Sequence, residues 1–252
     1  MNRFFAIGIL LALLVFSSCE TDNSISFINQ NIATNTCESC PKISIDIPQA
    51  QPENEISKRI NSEIDTFVTS TLNYSEEKTT DSILEAVAIF NTEYKKLKER
   101  FPEDIIPWEA TIKGNVSFEN NFFTSVAIES YIFTGGAHGY GSISFLNFDT
   151  KTGKNLTPND LFKDKQTLID IAEKEFRTAQ KIKPDANINS TGFMFENDAF
   201  HLPSSIGFNE KGLVLIYNPY EIASYADGRT TIEIPFETAK QFMKPEWLSE
   251  VH

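Results

Sequence analysis

Basic residues, cysteine and histidine are scarce in this 252-residue chain, which has 22 Lys and Arg against 35 Asp and Glu, three Cys and three His. A formal charge of −13 repels nucleic-acid phosphates and anionic membrane surfaces, so DNA or RNA binding is excluded as a class, while encounter with cationic partners is favoured. The same acidity also serves solubility alone. His138, His201 and His252 are too far apart in sequence to suggest a metal cluster, and no metal or cofactor is expected. Glycine is too rare, at 11, for a collagen-like repeat, and 40% hydrophobic residues exclude wholesale disorder. Long apolar runs are missing too. The longest, Phe4 to Phe16, is too short to span a bilayer, which excludes a polytopic membrane protein.

That run follows Arg3 and ends at Ser17-Ser18-Cys19, the layout of an export signal. Its end resembles the bacterial lipoprotein signal, in which the cysteine becomes the lipidated first residue. The expectation is therefore a signal at 1–18 and lipidation at Cys19; a plain secretory signal is the alternative. Cys37 and Cys40 are spaced Cys-x-x-Cys, but polar linker precedes them and Pro41-Lys42 follows, unlike a redox motif at a helix start. Two more zinc ligands are missing. A small local disulfide or two free thiols is the reading favoured.

Along the chain, residues 19–40 are rich in Asn, Ser and Thr and read as a tether. Residues 43–47 alternate as a strand, which Pro48 and Pro52 are expected to break. Apolar spacing predicts a helix over 54–72, through Ile56, Ile60, Ile64, Phe67, Val68 and Leu72. A second helix is predicted over 81–100, with Leu84, Val87, Ala88, Asn91, Tyr94 and Leu97 inward. Three strands follow, near 111–118, 122–133 and 142–148, joined at Asn120-Asn121 and forming an antiparallel meander. Thr157-Pro158-Asn159-Asp160 has the form of a capped helix start. A helix over 165–179 is next, with Leu168, Ile171, Ala172 and Ala179 inward, then strands near 192–195, 199–202, 213–217 and 230–234. The fold class is α+β: antiparallel sheets with packed helices, in two associated subdomains at 41–133 and 134–252.

The usual enzyme signatures are missing. Gly153-Lys154 precedes Asn155 and not Ser or Thr, so there is no P-loop, and no Gly-x-Ser-x-Gly elbow exists. Carboxylates are too common here for a catalytic pair to be inferred. Two clusters stand out. Thr134-Gly135-Gly136-Ala137-His138-Gly139-Tyr140-Gly141 sets four glycines around a lone histidine between strands. It either presents His138 and Tyr140 to a ligand, uses His138 as a general base, or lets His138 brace the loop by bonding backbone. The second cluster, 217–228, gathers Tyr217, Tyr220 and Tyr225 with Glu221 and Asp227. Such a surface suits carbohydrate or a basic protein, unless Tyr217 and Tyr220 plug the end of a sheet.

These clusters, with Asn147-Phe148-Asp149, Thr152-Gly153-Lys154, Leu156-Thr157, Asp160-Leu161-Phe162 and Gly212-Leu213-Val214-Leu215, resemble a family of exported bacterial domains. That family includes the extracellular module of the lysozyme-sensing anti-sigma factor RsiV, found also beside the catalytic domain of the peptidoglycan deacetylase PdaC. The resemblance covers about 130–244, and a looser one to the companion domain covers about 43–133. It implies a mixed α/β module without catalytic activity, able to bind lysozyme-type proteins. The chain is expected to be the binding module alone on a lipid tether, in the cell envelope and most simply on the outer membrane. Glu20 and Asp22 point to surface display, with the periplasmic face as the alternative. The expected ligand is a lysozyme-like cationic protein or peptidoglycan, met by His138, Tyr140, Tyr220, Glu221, Tyr225 and Asp227. A wall-active hydrolase using His138 and a purely structural envelope lipoprotein are the other readings.

Overall fold

A computed structural model describes residues 25–34, 40–74, 79–103 and 106–248. The export signal, Cys19 and Cys37 lie outside the described residues. Cys40 is disulfide-bonded, so of the two alternatives for this cysteine the free thiol is removed.

The chain opens with β1 (Ser26–Thr34), which pairs antiparallel along its whole length with β2 (Lys42–Gln51). The expected tether thus contains a strand. Its Asn- and Gln-rich sequence hides it because one face stays exposed and only Ile25, Phe27 and Ile32 reach the core. β2 also runs through Pro48, which was expected to end it. Pairing with the next strand stops at Asp46, so the missing N–H two residues later leaves no partner unsatisfied on that side.

Helix α1 (Glu55–Leu72) starts where the side chain of Asn54 accepts from Ile56 N and Ser57 N, and it buries Ile60, Ile64, Val68 and Leu72 as the spacing predicts. Helix α2 (Ile83–Arg100) has its predicted extent but a rotated face. Ile83, Ala86, Val87, Phe90 and Tyr94 are buried, while Leu84 is exposed. The two helices form the crossover to β3 (Glu109–Glu119), which lies parallel to β2. This is the one parallel pair in an otherwise antiparallel sheet, since β4 (Phe123–Phe133) and β5 (Tyr140–Asp149) complete the expected meander. The order is β1-β2-β3-β4-β5, so the boundary expected at 133/134 falls inside this sheet.

Thr157 and Asp160 form the predicted capping box at α3 (Pro158–Leu161), and α4 (Lys165–Ala179) has its predicted bounds. Phe176 takes the buried place expected for Ala179, which is exposed. Strands near 192–195 and 199–202 are not formed. The second sheet is β6 (Ser205–Asn209), β7 (Gly212–Tyr217) and β8 (Thr230–Pro235), followed by the single-turn α5 (Phe236–Ala239).

The first sheet buries one face against α1 and α2, and part of its other face meets β6 through polar side chains. Ser125 Oγ accepts from Phe208 N at 3.0 Å, Ser117 Oγ donates to Phe208 O at 2.7 Å, and Asn147 Nδ2 donates to Ile206 O at 2.9 Å. These side chains supply the free edge of β6 with the partners a fourth strand would have given. Asn218 does the same for β5, accepting from Ile143 N at 2.8 Å and donating to Ile143 O at 2.9 Å.

Candidate binding site

The loop between β4 and β5 turns through Gly135 and Gly136, both at positive φ, and then lies on the sheet. Gly139 is buried there because a Cβ would sit 2.5 Å from the Tyr131 ring. This places His138 outward, where it meets the second cluster. Its ring stacks on Tyr225 with centroids 3.8 Å apart and planes 14° from parallel, and Tyr220 Oη lies 3.4 Å from His138 Nε2. His138 Nδ1 lies 3.0 Å from Gly139 O. A carbonyl only accepts, so Nδ1 carries a proton, and Nε2 is the ring nitrogen that meets the Tyr220 hydroxyl. His138 is thus both loop brace and exposed ring.

Tyr220 is 59% exposed and holds a left-handed backbone, φ 71°, at a tight turn closed by its N–H donating to Ala223 O. A bulky residue in this region is strained unless its surroundings hold it. Glu221 supplies that hold. One carboxylate oxygen accepts from Ser204 N at 2.7 Å and the other from Asn218 N at 3.0 Å. Asn218 in turn grips β5, so the tyrosine is positioned against both sheets. Tyr140 begins β5 and points its hydroxyl at Pro219 O, 3.4 Å away. Burial, and then the charge of Glu221, push its hydroxyl above the ordinary tyrosine range.

Four of the six expected residues, His138, Tyr140, Tyr220 and Tyr225, therefore form one ridge across two segments about eighty positions apart. Glu221 lies beneath it as a brace. Asp227 caps its own turn, accepting from Ser224 Oγ at 2.6 Å, and lines a separate groove with Gln180, Gly192 and Phe193. Tyr217 is the tyrosine that plugs the sheet, fully buried with its hydroxyl donating to His201 O at 2.5 Å. Sequence reasoning passed over Asn218, whose role needs the β5 edge, and Tyr131, which shares a groove with His138, Lys42 and Glu109. The alternation of β4 placed Tyr131 on the face opposite Ile128 and Ile132, a signal that was available.

Comparison with known proteins agrees with this architecture. Residues 34–140 match the family model described as deacetylase PdaC, and residues 159–237 match the model of a protein family of unknown function, DUF3298. No curated protein matches. A crystal structure of a DUF3298 family member from Bacteroides fragilis is 20% identical, with 88% of this chain and 94% of that chain covered at a TM-score of 0.69. A DUF3298 family protein from Pseudomonas aeruginosa is 18% identical, covering 89% and 95%, with a TM-score of 0.59. The chain thus joins a segment that matches the PdaC model to one that matches DUF3298, and has the α+β fold of solved DUF3298 family proteins.

Proposed function

We propose that this is a lipid-anchored cell-envelope protein that binds without catalysing, and that its ridge at His138, Tyr220 and Tyr225 recognises a basic, lysozyme-like protein. The observation that carries the reading is the stacked and exposed ridge itself. Rigid aromatics presented by a braced loop are the usual anchors of a protein interface. The charge of −13 favours a cationic partner, and the RsiV resemblance names the type. The name of the model matched by residues 34–140 refers to a deacetylase, but we read that segment as an accessory one. Glu221 and Asp227, the two carboxylates in the expected set with His138, accept from backbone N–H groups. No helix among the described residues is long and apolar enough to cross a membrane; the proposed anchor, a lipid at Cys19, rests on the signal-like run that precedes that cysteine.

Calorimetric titration of a soluble form starting at Glu20, which keeps β1 in its sheet, with a basic lysozyme at two salt concentrations tests this. Saturable binding that survives salt is expected, with His138→Ala plus Tyr220→Ala weakening it by about thirtyfold or more. Binding erased by salt would reduce the effect to charge attraction. Unchanged affinity in the folded double variant would move the site elsewhere.

A further inference from the structure

On the outer face of the first sheet, the second sheet and its loops cover Ser117, Ser125 and Asn147 and the β5 positions Phe145 and Ile143, and Arg229 reaches Glu129. The rest is open. Strand register lines up one row of small or flat side chains across it: Ala33 beside Ser44, Ser44 beside Thr111, Thr111 beside Tyr131, and Tyr131 beside Gly141. Long side chains flank this row on both sides, charged except at Phe133, the register partner of Glu109. Lys42 lies beside Glu109 along one margin, and Asp46, Lys113 and Glu129 are successive register partners along the other. The result is a trough running across all five strands, roughly 19 Å from the first to the last. At its β5 end the 134–139 loop lies on Tyr131 and His138 stands over it, so that end has a wall.

The charges of the trough cancel, although the protein carries −13. Lys42 and Lys113 face Glu109 and Asp46, and Glu129 is paired with Arg229 at 3.1 Å. An ionic ligand of either sign gains little here. The floor strands already pair with one another, and the outer edge of β1 lies across the end of the trough and not along it, so an extended peptide lying in the trough finds no strand edge to join. What the trough does offer is a partly exposed tyrosine ring, two hydroxyls, and margins that alternate strong donors with strong acceptors. A chain that is uncharged, rich in hydroxyls, and apolar on its ring faces satisfies all three.

We propose that this trough is a binding site for a neutral oligosaccharide, with a sugar ring stacked on Tyr131 and its hydroxyls bonded by Ser44, Thr111, Lys42 and Glu109. The site adjoins the ridge but does not depend on the ridge binding a protein. Titration of the intact protein with cellotetraose, with its N-acetylated counterpart and with tetralysine tests it. At least one neutral tetramer is expected to bind saturably with an affinity indifferent to salt. Tyr131→Ala should weaken that binding about tenfold, and Lys42→Ala with Glu109→Ala several-fold, in proteins whose melting confirms that they are folded. Tyr220→Ala, off the trough, should leave it within about twofold while it weakens a lysozyme-like ligand, so the two readings fail separately. Absence of binding by both neutral tetramers, affinity retained in both trough variants, or a preference for tetralysine that salt erases would each overturn the proposal.

Discussion

The two cores are built from different materials. Against α1 and α2 the first sheet packs mainly isoleucine, with Ile43, Ile45, Ile47, Ile60, Ile64, Ile112 and Ile128 all buried. The core under the second sheet is richer in rings, with Phe123, Phe162, Phe176, Phe195, Phe208, Phe242 and Tyr217 set among leucines and isoleucines, whereas the rings of the first core gather mainly where Phe90 and Tyr94 meet Trp108. Branched aliphatics fill the regular gap between a helix pair and a pleated face, where every element has its own hydrogen-bond ladder. Rings are needed where the covering chain is irregular. Phe176 on α4 meets Phe195 edge-on at 5.1 Å and Phe193 at 4.8 Å, and both partners sit on chain with no strand neighbour. Few large anchors there replace many small contacts.

Single truncations separate the cores most clearly. Phe176→Ala should cost about 3–5 kcal/mol, because one large ring leaves a cavity that its edge-on neighbours cannot close. Ile45→Val, in the aliphatic core, should cost about 0.5–1.5 kcal/mol. Denaturant unfolding of both variants against the parent reads the difference directly. Equal losses would show that the two cores share their load alike.

The same contrast explains what could be read from the sequence. Helix α1, helix α4 and the meander β3-β4-β5 are periodic over many residues, and their extents are legible. In the aromatic half periodicity misleads. The segments at 192–195 and 199–202 look like strands because extended chain places phenylalanines on Phe176, but their backbone is not paired by a neighbouring strand. Asn189 serves instead, accepting from Phe195 N at 2.7 Å and donating to Phe195 O at 2.9 Å. The actual strand, β6, is not among those expected, and it carries Gly207 at its centre. That glycine is required by the other sheet, since a Cβ would lie 2.1 Å from Phe145 Cγ. The ridge was legible for a related reason: tyrosines beside glycines and acids mark an exposed loop, whereas the bracing of Tyr220 by Asn218 and Glu221 depends on a strand edge seventy-five positions away.

Between the cores runs the polar seam, and it should be intermediate in cost. Ser125→Ala leaves Phe208 N without its acceptor and removes the 2.8 Å bond between Ser125 Oγ and Asn147 Oδ1, all of it buried. A loss of about 1–3 kcal/mol is expected, the penalty of orphaned buried groups. Hydrogen exchange should report it as faster exchange at Phe208 N while amides of α1 keep their protection. Loss of protection in α1 as well would mean that the two halves unfold as one unit.

The smallest effects, opposite in sign, belong to one carboxylate from each half. In the capping box of α3, hydrogen bonds from Lys154 and then Thr157 hold Asp160 well below the ordinary carboxylate range. The unfolded chain binds that proton more readily, so the stabilisation is present above the unfolded-state value near 3.9 and is lost as pH falls toward the folded one. Beside α1, burial raises the Asp65 carboxyl, with the amide of Gln49 only partly offsetting it. Here the ionised form costs the folded state, and the cost disappears as pH falls through the raised value. At neutral pH Asp160→Asn should therefore destabilise by about 0.5–1 kcal/mol, a modest figure because Lys154 is largely exposed. Asp65→Asn should raise the melting temperature slightly, since an asparagine oxygen can still accept from Gln49. Melting curves from neutral to acid pH should show both differences shrinking toward zero from opposite sides. A gap at Asp65 that widens in acid would mean that its carboxylate is held by a cation and not merely buried.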